Sequence, residues 1–106
     1  MPLQPYHKFK NSKGIEFEIL FRKPDKRNGE CDGVCYKEDD DSKGKIFIRP
    51  GMSAKRELNT IVHEILHAFY WDKSEYDVDR CASVISNYLS KSGWRKLGKQ
   101  NFPKKK

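Results

Sequence analysis

Residues 58–70 read LNTIVHEILHAFY, and this stretch decides how the rest of the chain is interpreted. Its apolar residues recur at the i, i+3, i+4, i+7 spacing of an amphipathic helix: Leu58, Ile61, Val62, Ile65, Leu66 and Phe69. The Pro50-Gly51 pair predicts a turn just before this stretch, and Ser53 is a suitable N-cap. The sequence therefore predicts a helix from about Ser53 to Tyr70.

Inside this helix His63, Glu64 and His67 form the pattern H-E-x-x-H. Residues four apart on a helix lie on one face, so both imidazoles can reach one metal ion. Glu64 points to an adjacent face, beside the metal, where the general base for a metal-bound water belongs. The only other histidine, His7, lies far upstream in a polar segment that is predicted to be irregular.

A catalytic zinc ion usually has three protein ligands and one open position, so a third ligand is needed. The residues after the motif predict a second helix that starts at Ser74 and carries an apolar stripe of Val78, Cys81, Ala82, Ile85 and Leu89. Cys81 is expected to be buried in that stripe.

Three acids at the start of the second helix are candidates for the third ligand. Asp79 ranks first because no capping role explains it. Glu75 ranks second; it stands at the first helical position, where a carboxylate also favours the helix dipole. Asp77 ranks third because it forms a capping-box pattern with Ser74.

The segment His63–Ala68, a short connector and a second helix with Val78-Asp79-Arg80-Cys81-Ala82 resemble the small zincin-type metallopeptidases of phages and bacteria. The broader relatives are the SprT-like and ImmA/IrrE-like minimal gluzincins. The resemblance implies that His63, His67 and Asp79 bind Zn²⁺ and that Glu64 is the catalytic base. Asp79 stands where that family has glutamate. The resemblance covers about residues 45–89.

The upstream half of the chain predicts strands. Residues 15–21 alternate apolar and polar side chains, residues 44–49 form a second strand, and residues 34–36 form a third. The acidic residues 38–42 are interpreted as a solvated turn rather than a calcium loop. The expected fold class is α+β: a small antiparallel sheet of two to three strands followed by the two helices. Residues 46–49 are expected to lie nearest the site, where a strand edge can hold an extended peptide.

Charge and composition predict one domain, residues 1–90, followed by a basic tail, residues 91–106. Residues 1–90 contain 15 basic and 15 acidic residues, so the net charge of +7 lies in the tail. The tail is interpreted as a solvated end whose Trp94 packs back on the core; nucleic-acid binding is the alternative. The sequence contains no apolar run of about 18 residues, so no membrane span is predicted. The N-terminus does not resemble a signal peptide.

Cysteine usage predicts a reducing, cytoplasmic location, because three cysteines make a poor disulfide framework. The resemblance to the phage and bacterial peptidases implies a bacterium or a phage-infected host. The spacing of Cys31 and Cys35 is not that of a zinc knuckle, and a strand with a turn at Asp32-Gly33 is the plainer interpretation.

Together these features predict a zinc metallopeptidase that acts on a protein or peptide, with Tyr76 or Tyr70 as the nearest candidates to stabilise the oxyanion. The alternative is a non-catalytic, zinc-stabilised module that binds nucleic acid or a protein partner through its basic tail. The presence of Glu64 favours the enzyme, because a structural zinc site has no need of a base.

Overall fold

The computed structural model describes residues 7–24, 31–36, 43–94 and 96. These residues form four strands and then two helices: β1 (His7–Lys10), β2 (Glu16–Phe21), β3 (Gly33–Tyr36), β4 (Lys43–Ile48), α1 (Ala54–Phe69) and α2 (Glu75–Lys91). The predicted α+β class is confirmed. The acidic turn at residues 38–42 and most of the basic tail lie outside the described residues.

The sheet has the strand order β1-β2-β4-β3 and is mixed. The β1–β2 and β3–β4 pairs are antiparallel, whereas β2 and β4 run parallel. The expectation of two to three antiparallel strands was therefore wrong in number and in direction. The chain crosses from β2 to the far edge, forms β3, and returns as β4 between them, which makes β4 parallel to β2.

The predicted irregular segment around His7 is also wrong, because it forms the edge strand β1. Of its four residues, three are exposed and Phe9 alone is partly buried. The Phe9 ring stacks on Phe17 at 5.6 Å and on Phe69 at 5.9 Å between centroids. One apolar side chain is enough to attach this edge strand to the core. The strand was therefore not recognisable in a sequence that is otherwise polar.

The hydrophobic core lies between the sheet and α1. It consists of fully buried residues from β2, β4 and α1: Phe17, Ile19, Ile46, Ile48 and Ala68. Gly44 completes it, because a Cβ atom at this position would overlap the Phe17 ring. The alternation predicted for residues 15–21 is confirmed over residues 16–19, since Phe17 and Ile19 are buried while Glu16 and Glu18 are not, but Leu20 on the opposite face is buried as well.

Both predicted helix starts are confirmed. The Ser53 side chain accepts a hydrogen bond from the Arg56 backbone N–H at 3.3 Å. The Ser74 side chain accepts one from the Asp77 backbone N–H at 3.1 Å. These caps fix where each helix begins, and therefore the angular position of every side chain that follows.

Helix α1 packs on β3 and β4 with one side and on α2 with the other. Helix α2 buries Val78, Ala82 and Ser86. Cys81 is exposed, so its predicted burial was wrong. The buried residues of α2 follow a four-residue spacing that continues to Ser86. Cys81 does not fall on this line and lies on the outer flank of the helix.

After α2 the chain turns back towards α1. Gly93 adopts a φ of +92°, and Lys96 then places its Nζ atom 3.0 Å from both carboxylate oxygens of Glu57. Trp94 borders a groove with Leu58 of α1 but is 67% exposed, so the expectation that it packs back on the core is not confirmed. Neither helix has the length and apolar composition that crossing a bilayer requires, as judged over the described residues.

Candidate metal centre

Helix α1 presents His63 and His67 on one face, one turn apart. Their ring centroids lie 4.9 Å from each other. The two side chains are only 15% and 19% exposed, which leaves their outer edges accessible from one side. A metal ligand needs such half-buried placement, because the protein fixes the ring and the open side admits the ion.

The start of α2 brings a carboxylate to the same place. A five-residue connector, residues 70–74, turns the chain back beside α1, and its Lys73 backbone N–H donates to the Tyr70 carbonyl at 3.0 Å. Glu75, the first residue of α2, then contacts both rings. One oxygen lies 2.8 Å from Nε2 of His63, and the other lies 3.0 Å from Nε2 of His67.

The donor atoms of His63, His67 and Glu75 lie within 4.8 Å of one another. A tetrahedral zinc ion with ligands at about 2.0 Å separates its donor atoms by about 3.3 Å. The two Glu75 contacts, at 2.8 and 3.0 Å, are a few tenths of an ångström shorter, so the three groups lie close enough together to reach one ion. Two imidazoles and a carboxylate are also a ligand set known for catalytic zinc. The residues therefore fit zinc in both geometry and chemistry.

Asp79, ranked first from the sequence, lies one helical turn beyond Glu75. Its Oδ1 atom is 3.6 Å from Nδ1 of His63, the ring nitrogen that faces away from the His63–His67–Glu75 group. This separation exceeds a hydrogen bond, so the carboxylate acts on the His63 ring through its charge and not through a direct contact. The structure thus brings Glu75 rather than Asp79 to the two Nε2 atoms, and Asp77 remains at the helix cap.

Glu64 is buried beside this group with only 6% of its surface exposed. Its side chain makes no hydrogen bond or ion pair with any other described residue. Burial, followed by the negative charge of Glu75, raises the pKa of Glu64 from its ordinary value of 4.5 to about 7. A carboxyl group with a pKa near neutrality can both accept and return a proton under physiological conditions.

Strand β3 covers Glu64, and Gly33 permits this close approach. A Cβ atom at Gly33 would lie 2.7 Å from Cγ2 of Thr60 and 3.2 Å from Cγ of Glu64. Arg56 of α1 binds both carboxylate oxygens of Asp32, at 2.8 and 2.9 Å. This bidentate pair fixes the start of β3 against α1.

A cleft opens between β3, α1 and the start of α2. It has two adjoining parts of about 590 and 380 Å³, and both are lined by Gly33, His63, Glu64 and Glu75. Among the described strands, β3 lines this cleft and β4 does not, so the expectation that residues 46–49 lie nearest the site was wrong. The sequence could not reveal this, because β3 is short and its position depends on the crossover.

The backbone of β3 offers hydrogen-bonding groups to this cleft. The Arg49 N–H donates to the Asp32 carbonyl at 2.7 Å, and Gly33 and Cys35 stand opposite Ile48 and Ile46. Hydrogen-bonded and non-hydrogen-bonded pairs alternate along an antiparallel ladder. The N–H and C=O groups of Gly33 and Cys35 therefore point away from β4, towards an edge that no other described strand covers.

Cys35 lies against the buried side of this cleft. Burial, with a contribution from the charge of Glu64, raises the pKa of its thiol far above the usual range. The thiol is therefore neutral near Glu64. Neither Tyr70 nor Tyr76 lines the cleft, and their side chains are 50% and 71% exposed. Sequence proximity alone suggested the two tyrosines, and no described contact connects them to Glu64.

No protein-family model matches this chain, and searches of curated proteins and of solved structures gave no match. The resemblance to zincin-type peptidases stays an expectation that rests on the H-E-x-x-H helix and the helix after it.

Proposed function

We propose that this protein is a zinc-dependent peptidase in which His63, His67 and Glu75 hold the metal and Glu64 is the general base. The observation that supports this most is the meeting of the two Nε2 atoms with one carboxylate, 2.8 and 3.0 Å away, beside a buried acid without a described partner. A purely structural site needs the first feature but has no use for the second.

Bound zinc would supply Lewis acidity, which polarises a substrate carbonyl and lowers the pKa of a coordinated water to about 7. Glu64 accepts a proton from the attacking water and passes it to the leaving amine, a role suited to its raised pKa. Asp79, 3.6 Å from Nδ1, places a negative charge beside the His63 ring on the side away from Glu75. The sequence ranked Asp79 first as the third ligand. We assign that role to Glu75 because it, and not Asp79, contacts both Nε2 atoms.

The proposed substrate is an extended stretch of polypeptide. The outward N–H and C=O groups of Gly33 and Cys35 can pair with such a segment, as in peptide recognition by strand addition. A peptide bound there lies along the cleft that His63 and Glu64 line. We place the reaction in the cytoplasm, because the odd number of cysteines suits a reducing compartment. The resemblance to the phage and bacterial peptidases implies a bacterium or a phage-infected host for it.

The test is metal analysis combined with hydrolysis of an unfolded protein. The purified chain should carry about one zinc ion per molecule and generate new amino termini in the substrate. A chelator should abolish cleavage and added zinc should restore it, whereas His67→Ala should prevent both binding and cleavage. Folded protein that takes up no zinc would refute the proposal, and so would zinc-loaded protein that leaves every unfolded substrate intact.

The alternative, a zinc-stabilised module that binds nucleic acid through the tail, gains no specific support. Lys96, the tail lysine whose position after α2 is described, is held by Glu57 and so contributes to the fold. Removal of residues 97–106 with unchanged salt-sensitive binding to DNA would exclude that role for the rest of the tail.

A further inference from the structure

The outer face of α2 carries an apolar stripe that the rest of the described chain leaves uncovered. Cys81, Val84 and Tyr88 form it, with Val84 59% and Tyr88 66% exposed. Their spacing of three and then four residues aligns them along one side of the helix. This side is opposite the buried line of Val78 and Ala82. We call Cys81, Val84 and Tyr88 the outer stripe.

Each end of the outer stripe is charged, and the two charges have opposite signs. Asp77 precedes Cys81 by four residues, and Lys91 follows Tyr88 by three. Both side chains are exposed, and neither forms an ion pair with another described residue. The alternating spacing of four and three residues from 77 to 91 is that of a coiled-coil seam.

This pattern is complementary to itself when the helix is reversed. In an antiparallel pair centred on Val84, each Val84 meets the partner's Val84 and Asp77 meets the partner's Lys91. Tyr88 stands opposite residue 80 of the partner, within one residue of the partner's Cys81. A parallel pair would instead set aspartate against aspartate and lysine against lysine, which is unfavourable. We propose that the protein forms a symmetric dimer in which the α2 helices of two copies pack antiparallel through the outer stripe.

A cleft beside the outer stripe suits the aromatic side chain that such pairing delivers. It has a volume of about 320 Å³ and lies between α1 and α2, lined by Leu66, Tyr70, Lys73, Asp77, Val78 and Cys81. The partner's Tyr88 arrives next to Cys81 and enters this cleft. Its ring covers the apolar wall, while Lys73 and Asp77 are polar partners for its hydroxyl group.

The dimer leaves the metal group accessible. Glu75 and Asp79 point to the histidines of α1, on a different side of α2 from Val84. A two-fold axis through Val84 uses the same surface twice, as an isologous interface requires. The inference therefore holds whether or not the chain is a peptidase.

The experiment is sedimentation equilibrium over a concentration series, in a reducing buffer because Cys81 is exposed. The wild-type mass should rise from 12.5 kDa towards twice that value. Val84→Glu should stay monomeric throughout, since it sets two carboxylates together at the axis. Ser12→Glu adds the same charge at an exposed turn between β1 and β2, outside α2, and should dimerise as the wild type does. A wild type that stays monomeric, or a Val84→Glu variant that dimerises normally, would overturn the proposal.

The register is tested by exchanging the end charges. Asp77→Lys and Lys91→Asp should each weaken dimerisation about tenfold, because two ion pairs per dimer become repulsive contacts. The double variant should regain the wild-type association constant. Circular dichroism should show the same helix content in each, which excludes fraying of α2 as the cause. A double variant that associates no better than the single variants would rule out antiparallel pairing.

Discussion

Two glutamates on α1 have the same burial and opposite surroundings. Glu57 and Glu64 stand two turns apart on one face of α1 and are 9% and 6% exposed. Both carboxylate oxygens of Glu57 accept a hydrogen bond from Nζ of Lys96, at 3.0 Å. Glu64 has no partner among the described residues, and its pKa is raised to about 7. A buried acid with a cation stabilises a fold, and a buried acid without one is a candidate for chemistry.

The largest expected effect is on the rate of peptide hydrolysis, which should depend on Glu64 and not on Glu57. Glu64→Gln should lower the rate of peptide hydrolysis by about 10²–10⁴-fold, because a positioned base contributes that much, while zinc content is retained. Glu57→Gln is the matched control, with the same substitution two turns away. Its kcat should stay near the wild-type value at a temperature where the variant is folded.

Initial rates with zinc-loaded protein measure this difference. Equal losses of kcat in both variants would show that the effect comes from burying an amide in α1 and has no link to proton transfer. The comparison between the two glutamates would then carry no functional meaning.

The second prediction concerns the stability of the metal-free protein as a function of pH. Folded protein keeps the Glu64 proton up to about pH 7, whereas the unfolded chain loses it near the ordinary pKa of 4.5. Between these values the folded state binds more protons, so the wild-type free energy of unfolding falls as pH rises. At pH 8 Glu64→Gln should therefore be more stable than wild type by about 3 kcal/mol.

Urea unfolding of wild type and variant in chelator, at pH 5 and pH 8, tests this sign. At pH 5, where wild-type Glu64 is protonated when folded and partly ionised when unfolded, the difference should fall below about 1 kcal/mol. A Glu64→Gln variant that is less stable than wild type at pH 8 would contradict the raised pKa.

The sequence predicted the helices well because their signals are local. Ser53 and Ser74 cap their helices as expected, and the four-residue spacing of His63 and His67 fixes their common face. The environment of Glu57 was not predicted, since Lys96 lies 39 positions away and reaches it only after the chain turns at Gly93. The parallel pairing of β2 with β4 was not predicted for the same reason. Alternation of apolar and polar residues identifies a strand but does not show which other strand it pairs with.

The candidate site was predicted in part. The motif residues come together with an acid from α2, as expected. The preference for Asp79 rested on giving Glu75 a helix-dipole role, but a carboxylate at a helix start can also contact a neighbouring helix. Only the connector between α1 and α2 decides which acid reaches the Nε2 atoms, and its conformation leaves no periodic signal in the sequence.

The third prediction concerns a variant in which Glu57, like Glu64, has no cation beside its carboxylate. Lys96→Met removes the ammonium group and keeps much of the side-chain volume, which leaves a buried carboxylate without its cation. The free energy of unfolding at pH 7 should fall by about 1–3 kcal/mol. Lys13→Met, at an exposed turn position, removes the same charge without a buried partner and should change stability by less than about 0.5 kcal/mol. Equal effects of the two substitutions would show that the Glu57–Lys96 pair contributes nothing specific.

The smallest effect concerns the acids of α2 that face the histidines. Asp79→Asn should weaken zinc binding by about tenfold, because a neutral amide does not raise the basicity of the His63 ring. The 3.6 Å separation from Nδ1 favours this modest value, since it exceeds a direct hydrogen bond. Asp77→Asn removes the same charge from the other side of α2 and should leave zinc affinity unchanged. Competition with a chromogenic chelator measures both. A loss of all zinc binding in Asp79→Asn, with binding retained in Glu75→Gln, would instead make Asp79 the third ligand and return Glu75 to the helix-dipole role that its position first suggested.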